Sequence, residues 1–194
     1  MKTEPLCIKL CGFGGQGIVL AGVLLGTAAV QKAGLNAVQT QSYGSEARGG
    51  ECQAEVIISS RPIDSPLADD CDILVSLSQA ALDKYLPILR RDGVLIYDPE
   101  FVREPPAKPQ PGKGPNRTAA YAVPATAIAG DIGVALAANM VMLGFLQRIT
   151  GLFSADDLLE AISDGVPARY KDPNLKAARA GMDLAVKRMN ETEA

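Results

Sequence analysis

The chain has 194 residues, 47% of them hydrophobic, which is enough to build one well-packed domain with a single core. Its 19 basic and 22 acidic side chains give a net charge of −3, a balance that argues against nucleic acid as a partner. Histidine is absent, so the chain can form neither a Ser-His-Asp triad nor a Cys-His pair, and it lacks the most common metal-binding side chain.

Four cysteines, at positions 7, 11, 52 and 71, lack the CxxC spacing of metal and redox sites. We interpret them as buried thiols in a reducing compartment rather than as ligands of an iron–sulfur cluster. The N-terminal residues lack the pattern of a secretory signal, and the most hydrophobic stretch, residues 132–146, is shorter than the ~20 apolar residues of a membrane span. We therefore expect a cytoplasmic protein with no membrane partner.

The first predicted elements are a strand, a glycine-rich turn and a helix. The run LCIKLC (residues 6–11) is followed by GFGGQG (residues 12–17) and by an apolar stretch with helix-forming composition, residues 18–32. Glycines in such a turn let the backbone adopt positive φ and approach a ligand, and the free amides at the start of the helix attract anions. The sequence therefore predicts a phosphate-binding loop, although strand-to-helix turns also use glycine for purely structural reasons.

The second predicted strand, residues 36–41, argues against NAD as the ligand. Folds that bind NAD carry an acidic residue about 20 positions after the glycine loop, where it binds the ribose hydroxyls. Here that region reads VQTQS (residues 38–42), and the first carboxylate downstream is Glu46. Either the ligand is held mainly through its phosphates, or the loop binds something other than a nicotinamide nucleotide.

A polar, glycine-rich loop is predicted at residues 42–50, after the second strand. In an open parallel sheet, the carboxyl ends of the strands face the ligand crevice, so this loop should lie next to the first glycine loop. The guanidinium of Arg48 is suited to hold a phosphate or carboxylate through two hydrogen bonds. The alternative is an ion pair between Arg48 and Glu46 that only shapes the loop.

The rest of the chain alternates strands and helices. Strands are predicted over residues 52–58, 72–77, 94–97 and 121–124, with a helix over 79–89 and a turn at Asp92-Gly93. Three C-terminal helices are predicted, beginning near residues 132, 154 and 172. This alternation predicts an α/β fold with a Rossmann-like, mostly parallel sheet and helices on both faces. We assign residues 1–194 to one domain, with a sheet core (1–130) on which the C-terminal helices (131–194) pack.

Two segments point to a partner protein. Residues 101–118 hold five prolines and four basic side chains, a composition that excludes a helix or an inner strand; we interpret it as a solvated connection, or alternatively as an arm that reaches a partner. The helices predicted over 18–32 and 132–149 are apolar on most sides. We expect an obligate interface to cover them, unless they simply pack tightly within the chain.

The motifs together resemble a known family. They are GFGGQGI (residues 12–18), SYGSEARGG (42–50), Pro62-Ile63, DILV (72–75), VPA (123–125) and the stretch from Asn139-Met140 to Gly144. In this order they resemble the gamma subunit of the 2-oxoacid:ferredoxin oxidoreductases over nearly the whole chain. The second motif is most similar to that of the 2-oxoglutarate enzymes, although Ser45 stands where many relatives have proline.

The resemblance implies a subunit of a thiamine-diphosphate enzyme that decarboxylates a 2-oxoacid, transfers the acyl group to coenzyme A and passes electrons through iron–sulfur clusters to ferredoxin. It implies that thiamine diphosphate, Mg²⁺ and the clusters reside on alpha, beta and possibly delta subunits, and that this chain has no catalytic residue. The isolated chain is a possible homodimer. A pyruvate or branched-chain 2-oxoacid enzyme, a free-standing nucleotide-binding module and a purely structural scaffold are the alternatives.

The implied role of the chain is to help hold coenzyme A at the subunit junction. The loop amides and Arg48 would receive its phosphates, while Tyr43 and Glu46 would shape the approach. The candidate binding residues are Gly12, Gly14, Gly15, Gln16, Gly17, Tyr43, Glu46, Arg48 and Gly49.

Overall fold

The computed structural model describes residues 5–44, 50–105 and 119–193. The strands in these ranges are β1 (Leu6–Phe13), β2 (Asn36–Tyr43), β3 (Glu51–Ser59), β4 (Cys71–Ser76), β5 (Leu89–Tyr97) and β6 (Ala119–Ala122). The α-helices are α1 (Ile18–Thr27), α2 (Gln79–Tyr85), α3 (Ala125–Asp131), α4 (Ala138–Thr150), α5 (Ala155–Gly165) and α6 (Lys171–Glu193).

The strands form one sheet in the order β2-β3-β1-β4-β5-β6. The pairs β1/β4, β4/β5 and β5/β6 are parallel, whereas β3 runs antiparallel to both of its neighbours. The predicted α/β fold with a mostly parallel sheet is confirmed. The antiparallel exception arises because the short connection 44–50 joins β2 and β3 as a hairpin, which places β3 between β1 and β2.

Helices cover both faces of the sheet, as predicted. Alternate side chains of β1 point to opposite faces, so Leu6, Ile8 and Leu10 join a core shared with α1, α3, α4, α5 and α6. Cys7 and Cys11 point the other way and pack with residues of α2. The long C-terminal part of the chain therefore shares its core with one face of the sheet.

Helix α4 lies in the core on the side of the sheet that carries α1, α3, α5 and α6. Its burial there corrects one prediction. Every residue from Ala138 to Gln147 is buried within the chain, so no partner is needed to cover α4. The reason is close helix packing, because Gly144 and Gly181 bring α4 and α6 into backbone contact. By contrast, Leu20, Val23 and Val30, on and just after α1, remain exposed.

Several element boundaries differ from the predictions. Four α-helices rather than three follow the sheet, because α3 forms before Gly133, whose φ of 89° ends the segment, and α4 begins only at Ala138. The predicted helix over 79–89 ends at Tyr85 and continues as a 3₁₀ turn that contains Pro87. The Asp92-Gly93 pair lies inside β5, where the register against β4 shifts, rather than in a turn before it.

Most of the proline-rich segment, residues 106–118, lies outside the described residues. Within the described ranges, no helix combines the length and hydrophobicity needed to cross a membrane.

Candidate functional site

The glycine loop joins β1 to α1. Strand β1 ends at Phe13 and α1 begins at Ile18, with Gly15 at φ 98° and Gly17 at φ 71° between them. Residues with a Cβ rarely adopt such positive φ values, so the turn depends on glycine at both positions. The structure thus contains the strand, turn and helix that the sequence predicted at this place.

Side-chain and backbone hydrogen bonds fix the loop to its surroundings. The Gln16 side chain accepts from the Phe13 amide at 2.7 Å and donates to the Leu77 carbonyl oxygen at 3.0 Å. A Cβ at Gly12 would overlap Gln16 Oε1, so glycine at position 12 leaves space for the Gln16 side chain and its hydrogen bonds. Gln16 and Gly12 therefore shape the loop from within the chain, and direct contact of either with a ligand stays a prediction.

Several amides at the start of α1 point to an anion site. Among the described residues, no acceptor is bonded to the amides of Gly15, Gly17, Ile18 or Leu20. Gly17 provides no side-chain cap, and the first turn of α1 contains no acidic residue. Free amides and the positive end of the helix dipole favour a negatively charged ligand.

The second predicted loop begins and ends next to the first. The Gly14 amide donates to the Gly50 carbonyl oxygen at 2.9 Å, which ties the glycine loop to the end of the β2–β3 connection. Tyr43, the last residue of β2, lies opposite Cys52 at this same edge of the sheet and is 61% exposed. The remaining candidates in the connection, Glu46, Arg48 and Gly49, lie outside the described residues.

Among the described residues, a carboxylate beside the glycine loop, Glu51, is ion-paired. Glu51 lies opposite Phe13 and accepts hydrogen bonds from Lys84 Nζ at 2.8 Å and Tyr85 Oη at 2.5 Å. The bond from Lys84, followed by that from Tyr85, lowers the pKa of Glu51. The same environment raises the pKa of Tyr85, first through burial and then through Glu51. The ion pair with Lys84 offsets the negative charge of Glu51, which would otherwise repel an anion at the glycine loop.

The four cysteines are buried thiols of low reactivity. Burial raises the pKa values of Cys7, Cys11 and Cys71 to about 12, so these thiols stay protonated near neutral pH. Burial also raises the pKa of Cys52, whereas a hydrogen bond from the Val19 amide opposes that shift. The prediction that the four cysteines are buried free thiols is confirmed.

Comparison with known proteins agrees with this geometry. A family model described as pyruvate ferredoxin/flavodoxin oxidoreductase matches residues 7–184. The chain belongs to this family. It is 46% identical over 178 residues to the 2-oxoglutarate synthase subunit KorC of Methanothermobacter thermautotrophicus, a match that covers 91% of this chain and 93% of that protein. The resemblance to gamma subunits is confirmed.

Two solved structures in the family have the same fold. The gamma subunit of a keto/oxoacid ferredoxin oxidoreductase from Geobacter sulfurreducens superposes with a TM-score of 0.79 at 37% identity, over 94% of this chain and 99% of that one. The 2-oxoglutarate:ferredoxin oxidoreductase from Magnetococcus marinus, with 2-oxoglutarate, coenzyme A and succinyl-CoA bound, gives a TM-score of 0.80 at 25% identity. The match covers 96% of this chain but only 32% of the Magnetococcus chain.

This family member also has a surface poor in charge, which we call the α1–β2 face. From residue 10 to residue 44 the only charged side chain is Lys32, and it pairs with Glu160 and Asp164 at 3.2 and 3.0 Å. The exposed apolar side chains of this face are Leu20, Val23, Val30 and Tyr43. Strand β2 is the edge of the described sheet and carries neither proline nor charge, the usual protections of an exposed edge.

A cleft of about 600 Å³ lies at the opposite end of the strands from the glycine loop, around the starts of β1 and β4. Aspartates 64, 69, 70 and 72 contribute to its lining, together with Arg90, which pairs with Asp72 at 3.0 Å. Such a lining repels anions. The edge of the sheet that carries the glycine loop is the better phosphate site of the two.

One residue of the site was missed by the sequence reasoning. Asn139, near the start of α4, donates from Nδ2 to the Gly17 carbonyl oxygen at 3.1 Å. The available signal was a single amide in an otherwise apolar stretch, but its partner lies 122 positions earlier in the chain. No local pattern connects the two.

Proposed function

We propose that this chain is the gamma subunit of a cytoplasmic 2-oxoglutarate:ferredoxin oxidoreductase and that its glycine loop holds the phosphates of coenzyme A. The observation that carries the proposal is the set of amides at Gly15, Gly17 and Ile18 that have no acceptor among the described residues, at the end of the sheet where Tyr43 is exposed. A diphosphate supplies the negative oxygens that these donors lack. The Magnetococcus structure, which contains coenzyme A, includes a domain with the same fold.

The role of the chain is to bind and to assemble. Without histidine, and with thiols that stay protonated, its described residues offer neither a general base near neutral pH nor cluster ligands. Thiamine diphosphate with Mg²⁺ and the iron–sulfur clusters, which we assign to alpha, beta and possibly delta subunits, would supply decarboxylation and electron transfer to ferredoxin. Acyl transfer to coenzyme A then needs this subunit to hold the coenzyme in a fixed position.

A pair of glycine variants tests the binding role. Gly15 and Gly34 both have positive φ, 98° and 69°, and neither has an atom near the place of a Cβ. Alanine at either position therefore costs backbone strain of about 1–3 kcal/mol, the larger cost falling at Gly15, whose φ lies farther from the left-handed helical region. In the assembled enzyme, Gly15→Ala should raise KM for coenzyme A several-fold, whereas Gly34→Ala, remote from the loop, should leave it unchanged. Equal KM values in the two variants would remove the loop from the coenzyme site.

Arg48 is tested separately. If its guanidinium binds a phosphate, Arg48→Ala should raise KM for coenzyme A about tenfold or more, the equivalent of a charge-assisted hydrogen bond. Arg148→Ala removes the same charge from an exposed position at the end of α4 and serves as the control. An unchanged KM in the Arg48 variant would support the alternative, an ion pair with Glu46.

The identity of the 2-oxoacid requires the whole enzyme. The KorC match favours 2-oxoglutarate, and pyruvate or branched-chain 2-oxoacids are the alternatives. The complex purified from its native source should reduce ferredoxin fastest with 2-oxoglutarate, and the accompanying polypeptides identify the partner subunits. Turnover of a 2-oxoacid by the isolated chain would contradict the proposed division of labour.

We further propose that the α1–β2 face binds a catalytic subunit. The Magnetococcus chain is about three times as long as the domain that it shares with this protein, so there the neighbouring polypeptide is covalently attached. We infer that the equivalent neighbour of this chain contacts the α1–β2 face, because the charged side chain in the described part of that face, Lys32, is ion-paired, which suits an apolar, obligate contact. The unpaired edge of β2 is continuous with this face.

A charge introduced into the α1–β2 face tests this assembly. Val23→Glu should abolish co-purification with the catalytic subunits, while Met189→Glu, at a similarly exposed position on α6, should not. Sedimentation of the isolated chain addresses the other possible occupant, a second copy. If the isolated chain is a dimer that Val23→Glu dissociates while the complex still assembles, the face belongs to the homodimer.

A further inference from the structure

Asn139 is a buried amide in an apolar helix. Only 4% of the residue is exposed, and Oδ1 has no hydrogen-bond donor among the residues that the structure describes. A buried acceptor without a donor costs free energy that an apolar side chain of similar size would avoid. An apolar side chain could not form the hydrogen bond that Asn139 Nδ2 donates to the Gly17 carbonyl oxygen.

That bond orients one peptide unit of the glycine loop. The Gly17 carbonyl and the Ile18 amide belong to the same planar trans peptide, so they point in opposite directions. Asn139 Nδ2 at 3.1 Å and the Ala21 amide at 2.9 Å both hold the Gly17 carbonyl oxygen. The Ile18 amide is thereby turned away from α4, and hydrogen bonding to the carbonyl polarises it into a stronger donor.

Gly17 is adapted to this contact. A Cβ at position 17 would overlap Asn139 Nδ2, so glycine leaves space for the Asn139 side-chain amide. Glycine at this position also permits the positive φ of 71°. The approach of Asn139 and the turn itself therefore depend on the same glycine. The Ile18 amide, which this arrangement aims, is one of the donors without an acceptor in the described residues.

We propose that Asn139 is a positioning residue for the anion site, which holds the Gly17–Ile18 peptide so that the Ile18 amide binds a phosphate of coenzyme A. This rests on the proposed function of the loop. It assigns to a residue of α4, through its bond to the Gly17 carbonyl oxygen, control over the affinity of the site.

The same helix supplies a matched control. Gln147 is also 4% exposed, its Nε2 donates to the Phe153 carbonyl oxygen at 2.7 Å, and its Oε1 is also without a donor among the described residues. It lies eight positions from Asn139, roughly 12 Å along the helix axis. Leucine at either position removes one buried amide and one hydrogen bond, but only Asn139→Leu releases the glycine loop.

The test measures KM for coenzyme A and kcat in the assembled enzyme. Asn139→Leu should raise KM about three- to tenfold with kcat within twofold of wild type, whereas Gln147→Leu should leave KM unchanged at a similar loss of thermal stability. Equal KM values in the two variants would overturn the inference. If Gly15→Ala raises KM but Asn139→Leu does not, only the role of Asn139 fails; if Gly15→Ala has no effect, the proposed loop function fails first.

A second variant keeps the inference testable if Asn139→Leu does not assemble. Asn139→Asp has the same shape, but its carboxyl can donate to Gly17 only when protonated. The ratio of its KM to that of wild type should therefore rise with pH. Neither α1 nor residues 134–147 contain another ionisable side chain, and those on the helices that pack against α4, such as Asp131 of α3, Glu160 of α5, and Arg179 and Asp183 of α6, are exposed. Wild type carries the same groups, so the ratio reports the introduced carboxyl. The pH at which the introduced carboxyl ionises is measured by NMR of the variant chain, and a ratio that stays constant across that pH would contradict the proposed hydrogen bond.

Discussion

The contact between α4 and α6 allows a prediction in which one substitution has opposite effects at two sites. A Cβ at Gly144 would overlap the Ala178 carbonyl oxygen and lie 2.7 Å from its carbonyl carbon. A Cβ at Gly181 would overlap the Val141 carbonyl oxygen and lie 2.9 Å from the Phe145 amide nitrogen. These obstacles are backbone atoms, which cannot rotate away. Gly144→Ala must therefore push the two helices apart.

The magnitude follows from two opposing effects. Alanine is favoured over glycine in a helix by about 1 kcal/mol. Against this, separating the helices by about 1 Å forfeits a quarter to a half of the dispersion energy of each contact along the crossing, and overpacking itself costs about 1–3 kcal/mol. Because α4 is buried throughout this region, the loss prevails. We expect Gly144→Ala to reduce the free energy of unfolding by about 2–3 kcal/mol, which lowers Tm by roughly 4–12 °C.

Gly26→Ala is the control. Gly26 lies in α1 with helical backbone, and no atom lies within 4 Å of the place of its Cβ. The same substitution there should stabilise the chain by about 0.4–1 kcal/mol. Urea unfolding followed by circular dichroism measures both variants on the isolated chain. If Gly144→Ala is neutral or stabilising, the close α4–α6 contact does not exist as described.

Three further predictions concern the other face of the sheet and the alkaline limit of stability. Lys9 and Glu55 form a buried ion pair at 2.7 Å, so Lys9→Met should cost about 3–5 kcal/mol by leaving Glu55 unpaired, whereas Lys9→Met with Glu55→Leu should unfold in urea close to wild type; a double variant less stable than the single one would contradict this. The pKa values of Cys11 and Cys71 lie near 12 in the folded chain against 9.0 as the reference, so unfolding is favoured by thiol ionisation as pH rises above 9. In reducing buffer, each of these thiols should contribute about 1.4 kcal/mol to the stability lost between pH 8 and pH 10, and Cys11→Ala should reduce that loss by this amount. Thiol reagents should modify neither cysteine in the native chain at pH 8, and rapid modification would show that they are accessible.

The glycine loop was predictable because its determinants are local. An apolar strand, glycines at the positions of positive φ and an apolar helix follow one another within residues 6–27, and the structure repeats that order. Strand β4 was found for the same reason, since it is a short apolar run between breaks, whereas β6 was placed over 121–124, two residues later than its observed range. Sequence periodicity gives such elements directly.

Features that depend on distant residues were not predictable in this way. The antiparallel direction of β3 follows from its hairpin connection to β2. The alternation of polar and apolar residues within β3 does not determine which strand it pairs with on its other side. The burial of α4 depends on Gly181, 37 positions after Gly144, and glycine inside a helix gives no local sign of a close contact. The boundary of β5 was misplaced because Asp92-Gly93, a strong turn signal, lies at an irregularity within the strand.

The position of the glycine loop next to the α1–β2 face has an energetic consequence. Leu20 of this face is exposed in the first turn of α1, beside the amides that have no acceptor among the described residues, so a subunit bound to this face would border the coenzyme site. The donors of the isolated chain are a few main-chain amides, so we expect it to bind coenzyme A weakly, whereas an assembled site that excludes water would strengthen each of these bonds. By linkage, the factor by which assembly tightens coenzyme binding equals the factor by which coenzyme A tightens assembly. We therefore expect saturating coenzyme A to lower the Kd between this chain and its catalytic partner, as measured by titration of labelled subunit. A Kd that does not respond to coenzyme A would locate the coenzyme site away from the subunit junction.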